Sequence, residues 1–320
     1  MAGMEEAHRK QTAFASGAVS YLEWPAQGPD LHFAHATGFN SETYRALLQP
    51  LSDSFHVVAS DARGHGFTTL ETRPGLARGW TVFRNDLLAF LQTSTASPVL
   101  LAGHSMGAVT SLLLAAEFPE RVCGLVLIEP VLFSIPLWER LLAFAGVHRK
   151  NALAAGALRR RETFDSGDAV FEAYRGRGIF STWPDEMLRD YIAGGFLADA
   201  DGTVRLACLP WWEAEIYRSA PARLDRLAPR IRCPVTLLHG AKSSACPENE
   251  AVRFAKRQRR TRRICVPKAG HFLPMEYPEL VREEIRRMAE TLDLLHGIRP
   301  GTSAEDGPMA DHAASFILEK

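Results

Sequence analysis

The chain has 320 residues, 46% of them hydrophobic, and its 37 Lys plus Arg balance its 37 Asp plus Glu. That content fills a large core in one sizeable α/β domain with an insertion, or in two ordinary domains, and the balanced charge excludes a global attraction to nucleic acid or an anionic membrane. Five widely spaced cysteines, Cys123, Cys208, Cys233, Cys246 and Cys265, are odd in number and form no C-x-x-C pair, which argues against a disulfide framework or a zinc site.

The first ten residues carry no apolar signal region, and nowhere do eighteen apolar residues run together. A soluble, cytoplasmic protein without a membrane anchor is the expectation. From about Ser16 strand and helix signals alternate. Leu31–His35, His56–Ser60, Val99–Gly103, Gly124–Ile128, Val235–His239 and Arg263–Pro267 read as short apolar strands, most of them followed at once by a turn or a helical pattern. This order favours parallel pairing through right-handed crossovers, with ligands at the carboxyl ends of the strands.

Residues 1–130 and 230–300 therefore form the expected α/β core. Between them, 131–229 lose the strand rhythm and accumulate aromatics, among them Trp183, Tyr191, Trp211 and Trp212. Helical spacing at Leu137–Phe144 and Asp185–Ile192 predicts a mainly helical cap whose rings line an apolar pocket wall. The Arg-rich runs at Arg159–Arg161 and Lys256–Arg263 lack interleaved aromatics and read as solvated helix faces. The Gly-, Ser- and acid-containing tail, 301–320, is expected to be mobile.

The most informative stretch is Val99–Gly107, V-L-L-A-G-H-S-M-G. A G-x-S-x-G pattern arises by chance in about one sequence of this composition in ten, so its context must support it. Here an apolar strand run precedes Ser105, and small and apolar residues from Ala108 onward form a helical run that Pro119 closes. Strand, sharp turn and helix are the setting of a nucleophile elbow, with Gly103 and Gly107 as its small neighbours. The N–H of Met106 then lies at a helix N-terminus, where the dipole favours a developing oxyanion.

A serine hydroxyl needs a base, and the base needs a group that holds its tautomer. His271 follows the last strand candidate in Lys268-Ala-Gly-His-Phe-Leu-Pro, ahead of a helix read over 277–295, at the same sheet edge as Ser105. His104 adjoins the serine but is read as pointing elsewhere, His35 and His65 fall in turns, and no H-E-x-x-H spacing exists. Neither a metal nor a cofactor is expected.

With the elbow G-H-S-M-G, the segment Ser60-Asp-Ala-Arg-Gly-His-Gly and Ala269-Gly-His-Phe in place, the chain resembles the capped serine hydrolases of the α/β-hydrolase superfamily over about Ser16–Gly297. The resemblance implies a mostly parallel central sheet flanked by helices, with the cap inserted after strand six. It also implies an oxyanion donor just after the strand ending at His35. By ungapped carry-over that donor is Thr37, with Gly38 as the neighbour in question, and Met106 is the second.

The family's usual acid position after strand seven holds Ser243, which cannot act as a charged orienter. Some members carry the acid after strand six, where this chain has Glu129. A carboxylate there is costly unless it meets a donor, and an imidazole N–H would satisfy it. Glu248, Glu250 and Asp61 are the runners-up, with Asp61 read rather as a partner of Arg63 or of a turn N–H.

The resemblance implies hydrolysis of an ester, thioester or lactone of a small, largely apolar substrate. Carbon–carbon cleavage of diketone-like compounds stands second, and a non-catalytic small-molecule receptor of the same fold is the reading from another class. The serine excludes relatives that use an elbow aspartate. No nucleic-acid or membrane partner is expected, and oligomeric state is left open, a homodimer included.

Overall fold

Among the described residues nine strands form one sheet in the order β1-β2-β4-β3-β5-β6-β10-β11-β12. The computed structural model describes residues 6–95, 97–133, 151–295 and 316–317. The strands are β1 (His8–Phe14), β2 (Gly17–Trp24), β3 (Asp30–Ala34), β4 (His56–Ser60), β5 (Val99–His104), β6 (Val122–Ile128), β10 (Val235–Gly240), β11 (Thr261–Val266) and β12 (Phe316–Ile317). β1, β2 and β4 pair antiparallel, and every later pairing is parallel.

Parallel strands covered on both faces must be apolar throughout, and β5 and β10 are buried at every position. On one face pack the helices Thr81–Ser94, Met106–Glu117 and Glu248–Arg257, through Phe83, Leu87, Leu112 and Phe254. On the other lies the helix Pro278–Thr291, through Val281, Ile285 and Met288. The six strands expected from sequence all form, with ends shifted by a residue or two. The hairpin β1–β2 does not stand out in the sequence, because its exposed face interrupts the apolar run.

The chain leaves the sheet after β6 and returns at β10. In between, the helices Ala152–Ala157, Gly167–Tyr174, Asp185–Gly195 and Pro210–Arg218 are joined by a small antiparallel sheet, β7 (Thr163–Phe164), β9 (Val204–Leu206) and β8 (Phe196–Ala198). Ser166 caps Gly167–Tyr174 by accepting from the Ala169 N–H, and Asn151 caps Ala152–Ala157 through the Ala154 N–H. The helix expected over Leu137–Phe144 lies outside the described residues, as does most of the tail. Phe164, Phe171, Phe180, Trp183, Tyr191 and Phe196 merge with Phe39 and Tyr44 into one apolar core, which seats the insertion over the carboxyl ends of the strands. Among the described residues no helix is long and apolar enough to cross a membrane.

Candidate active site

Ser105 stands between β5 and the helix Met106–Glu117 with φ 55° and ψ −113°. A non-glycine residue there carries about 1–3 kcal/mol of strain and persists only where its surroundings over-determine it. The surroundings are close-packed backbone. A methyl on Gly107 would sit 2.1 Å from the Ala34 carbonyl oxygen, and one on Gly103 would sit 2.6 Å from the Gly107 carbonyl carbon. Neither glycine has a positive φ, so both serve close approach rather than conformational freedom. The Ser105 N–H is tied to the Ile128 carbonyl at 3.0 Å, which leaves only the side chain free to face the cleft.

His271 Nε2 lies 3.0 Å from Ser105 Oγ, and its Nδ1 lies 3.1 Å from Glu129 Oε2. The carboxylate can only accept, so Nδ1 carries the proton and Nε2 presents its lone pair to the hydroxyl. Glu129 is fully buried and, like Ser105, holds a positive φ of 51°. Its main-chain N–H donates to the Leu238 carbonyl at 2.8 Å. Its carboxylate also accepts from the Gly240 N–H and the Ser243 hydroxyl, so each of its oxygens has at least one donor. Ser243, in the loop after β10, thus supplies a hydroxyl to the Glu129 carboxylate.

The other carboxylates face elsewhere. Glu248 is 55% exposed at its side chain and pairs with Arg263 at 2.7 Å. Glu250 pairs with Arg253 at 3.0 Å. Asp61 is buried and accepts from the N–H groups of Ser41 and Phe67 and from Arg9. Of the two partners expected for Asp61 the turn N–H is the one found, at Phe67, and the Arg63 pairing does not form, because Asp86 takes Arg63 in a two-pronged bridge at 2.7 and 2.8 Å.

A count of N–H groups separates the oxyanion candidates. After β3, the Ala36 N–H donates to the Tyr44 hydroxyl, the Gly38 N–H to His65 Nε2 at 3.0 Å, and the Phe39 N–H to the Ala36 carbonyl. Burial pushes His65 down to about 3, so its ring is neutral and Nε2 accepts. Gly38 is therefore occupied. Thr37 and Met106 keep N–H groups with no protein acceptor among the described residues.

His104 does more than the sequence implied. Its Nε2 donates to the His271 carbonyl at 2.8 Å, and its Nδ1 accepts from the Tyr44 hydroxyl at 2.7 Å. Burial, and then the neighbouring His271, holds it well below the usual imidazole range, which fixes the neutral tautomer this chain requires. Ala36, Tyr44, His104 and His271 thus form one hydrogen-bonded line from the loop after β3 to His271. No local pattern announces it, since Tyr44 and His104 are 60 positions apart.

Next to His104 and His271, Phe39, Trp183, Tyr191 and Phe272 pack ring against ring, with Phe39 centroids 5.5 Å from Trp183 and 6.0 Å from Phe272. Arg160, expected on a solvated face, turns inward and pairs with Glu213 and the Tyr191 hydroxyl, both at 2.7 Å. In the second basic run, Arg262 and Arg263 lie on β11 and pair with Glu284 and Glu248. The ligand-type atoms of His239, Glu248 and Cys265 lie within 4.8 Å of one another. The Arg263 guanidinium donates into this group, 3.2 Å from His239 Nε2, and fills the place a cation would take.

Sheet order, elbow and the converging side chains define an α/β hydrolase. The model of the alpha/beta hydrolase fold matches residues 31–278, and the chain belongs to that family. A 2-(acetamidomethylene)succinate hydrolase of Mesorhizobium japonicum is 25% identical over 258 residues, 81% of this chain and 87% of the relative. The magnesium-chelatase 30 kDa subunit of Rhodobacter capsulatus is 30% identical over 263 residues, 76% and 84% of the two chains. Among solved structures, an E-2-(acetamidomethylene)succinate hydrolase superposes with a TM-score of 0.75 at 22% identity, over 89% of this chain and all of that one. An esterase and monoglyceride lipases are among the further relatives.

Proposed function

We propose that the protein is a serine hydrolase that cleaves a carboxylic ester, thioester or lactone of a small, largely apolar substrate through an acyl-enzyme. One observation carries this reading: hydrogen bonds of 3.1 and 3.0 Å join Glu129 through His271 to Ser105, and the N–H groups of Thr37 and Met106 have no protein acceptor among the described residues. In this mechanism Ser105 attacks the carbonyl carbon while His271 takes its proton. Glu129 holds the imidazole tautomer and stabilises the imidazolium, and Thr37 and Met106 bind the oxyanion. His271 then protonates the leaving group and activates the water that releases the acyl chain.

Each oxyanion donor is worth a factor of about 10²–10³ in rate. The aromatic wall of Phe39, Trp183 and Phe272 favours an apolar acyl or alcohol part, and the insertion acts as a cap over it. No step calls for a metal or cofactor, and cytoplasmic action on a small molecule is the matching context. The test is hydrolysis of p-nitrophenyl butyrate and labelling by a fluorophosphonate, beside Ser105→Ala. Turnover and labelling that vanish together in the variant are expected. Binding of small molecules without Ser105 labelling would replace the enzyme by a receptor of the same fold. A panel of an ester, a thioester, a lactone, a diketone and 2-(acetamidomethylene)succinate then fixes the bond cleaved.

A further inference from the structure

We infer that the helix Pro210–Arg218 of the insertion sets the position of the oxyanion loop, through Glu213 and Trp212 as positioning residues; the inference rests on the hydrolase reading above. The contact is made at Gly38, the residue after Thr37. Gly38 has a φ of +76°, and a methyl built on it would meet Glu213 Oε1 at 2.8 Å and Arg160 Nη1 at 3.5 Å. The carboxylate therefore bears directly on the loop backbone.

Glu213 is itself held. Only 5% exposed, it takes Arg160 Nη1 at 2.7 Å and the Tyr217 hydroxyl at 3.3 Å, and Arg160 is anchored in turn on the Tyr191 hydroxyl. A carboxylate with a two-sided hold has little freedom to swing, and an Arg fork fixes direction as well as charge.

The same helix reaches the loop from its other side. The Trp212 indole N–H donates to the Arg63 carbonyl at 3.0 Å, and that carbonyl also accepts from His65 Nδ1 at 3.1 Å. His65 Nε2 is the acceptor of the Gly38 N–H. Gly38 is thus gripped at its α-carbon by Glu213 and at its N–H by a ring whose far nitrogen shares an anchor with Trp212. An oxyanion donor must point to within a few tenths of an ångström of the developing charge, and a misplacement of about 1 Å costs about 10²-fold in rate. Thr37 is therefore aimed only while the insertion is docked.

The full-length Glu213→Gln variant tests this on p-nitrophenyl butyrate. The expected result is a kcat lower by about 10–100-fold with KM within about twofold. A trifluoromethyl ketone, whose Ser105 adduct places an oxyanion beside Thr37 and Met106, weakens by the same factor. Ester affinity measured in the Ser105→Ala background and the pH midpoint of kcat stay unchanged. Trp212→Phe keeps an aromatic ring at this buried position but removes the indole N–H along with part of the ring system, and with the fold verified by circular dichroism it lowers kcat in the same selective way; it carries the test if Glu213→Gln does not fold. Equal weakening of ester and ketone would reduce the pair to a pocket wall and overturn the inference. So would Ser105-dependent turnover that is indifferent to both variants. Absence of any Ser105-dependent turnover in the wild type overturns the hydrolase reading and this inference with it.

Discussion

The tips of the sheet and the insertion above them are held by different kinds of contact. At the tips the main chain does the fixing: the Ser105 N–H donates to the Ile128 carbonyl and the Glu129 N–H to the Leu238 carbonyl. Two residues with positive φ are kept in place by this ladder. The insertion is fastened to the core chiefly by side chains, through Trp183 and Tyr191 on Phe39 and the Trp212 indole on the Arg63 carbonyl, with one main-chain bond from the Gly79 N–H to the Ser219 carbonyl. Main-chain bonds survive a change of side chain, whereas ring stacks and ion pairs change with it. The proposed Ser105–His271–Glu129 line thus rests first on main-chain bonds at the sheet tips, and the seating of the insertion rests largely on side chains.

That contrast breaks if the tips prove tolerant. Ser105→Ala is expected to lower kcat by at least about 10⁴-fold, read with an activated ester. Glu129→Gln keeps the shape and removes the charge, and a loss of about 10³–10⁴-fold is expected. Ser243→Ala, which strips one donor from the same carboxylate, should cost no more than about tenfold. A Ser243→Ala loss as large as that of Glu129→Gln would move the orienting role to the loop after β10.

Gly107→Ala tests the backbone itself. With the Ala34 carbonyl 2.1 Å from the new methyl, a destabilisation of about 3 kcal/mol or more is expected in chemical denaturation. On the insertion side, Trp183→Ala should raise KM several-fold and leave kcat within about threefold, which steady-state kinetics resolves. Between these, Tyr44→Phe cuts the line from Ala36 to His104 and is expected to lower kcat about tenfold while the fold stays intact by circular dichroism.

The smallest expected effects are those of pH on stability, and they oppose one another. Asp30 first, then Glu23, raises the His56 imidazole above its ordinary value, although partial burial works against them. This contribution is complete below an unfolded value of about 6.5 and is lost as pH rises through the higher folded value, on the order of 1 kcal/mol or less for a cluster that solvent still partly screens. His32 and His65 are buried and pushed down to about 3. Their contribution is present above about 6.5 and is lost as pH falls toward 3. Denaturation curves from pH 4 to 9 should therefore show a steep acid limb. A shallow alkaline limb should also appear, which His56→Ala abolishes.

Much of the core and the outline of the site can be read from the chain alone, because their signals are local. Six apolar runs mark six strands, Gly103 and Gly107 bracket a turn too tight for a Cβ, and Ser105, His271 and Glu129 each sit just past a strand end. A residue at the carboxyl tip of a parallel strand has one side of the sheet to face, so topology brings such residues together. Tertiary structure alone decided what local pattern does not encode. It turned Arg160 inward onto Glu213, gave Arg63 to Asp86 rather than Asp61, drew His104 into a line with Tyr44 and His271, and occupied Gly38 so that Thr37 kept the free N–H. Each of these outcomes is a choice among partners distant in sequence, settled by which polar group burial leaves without water.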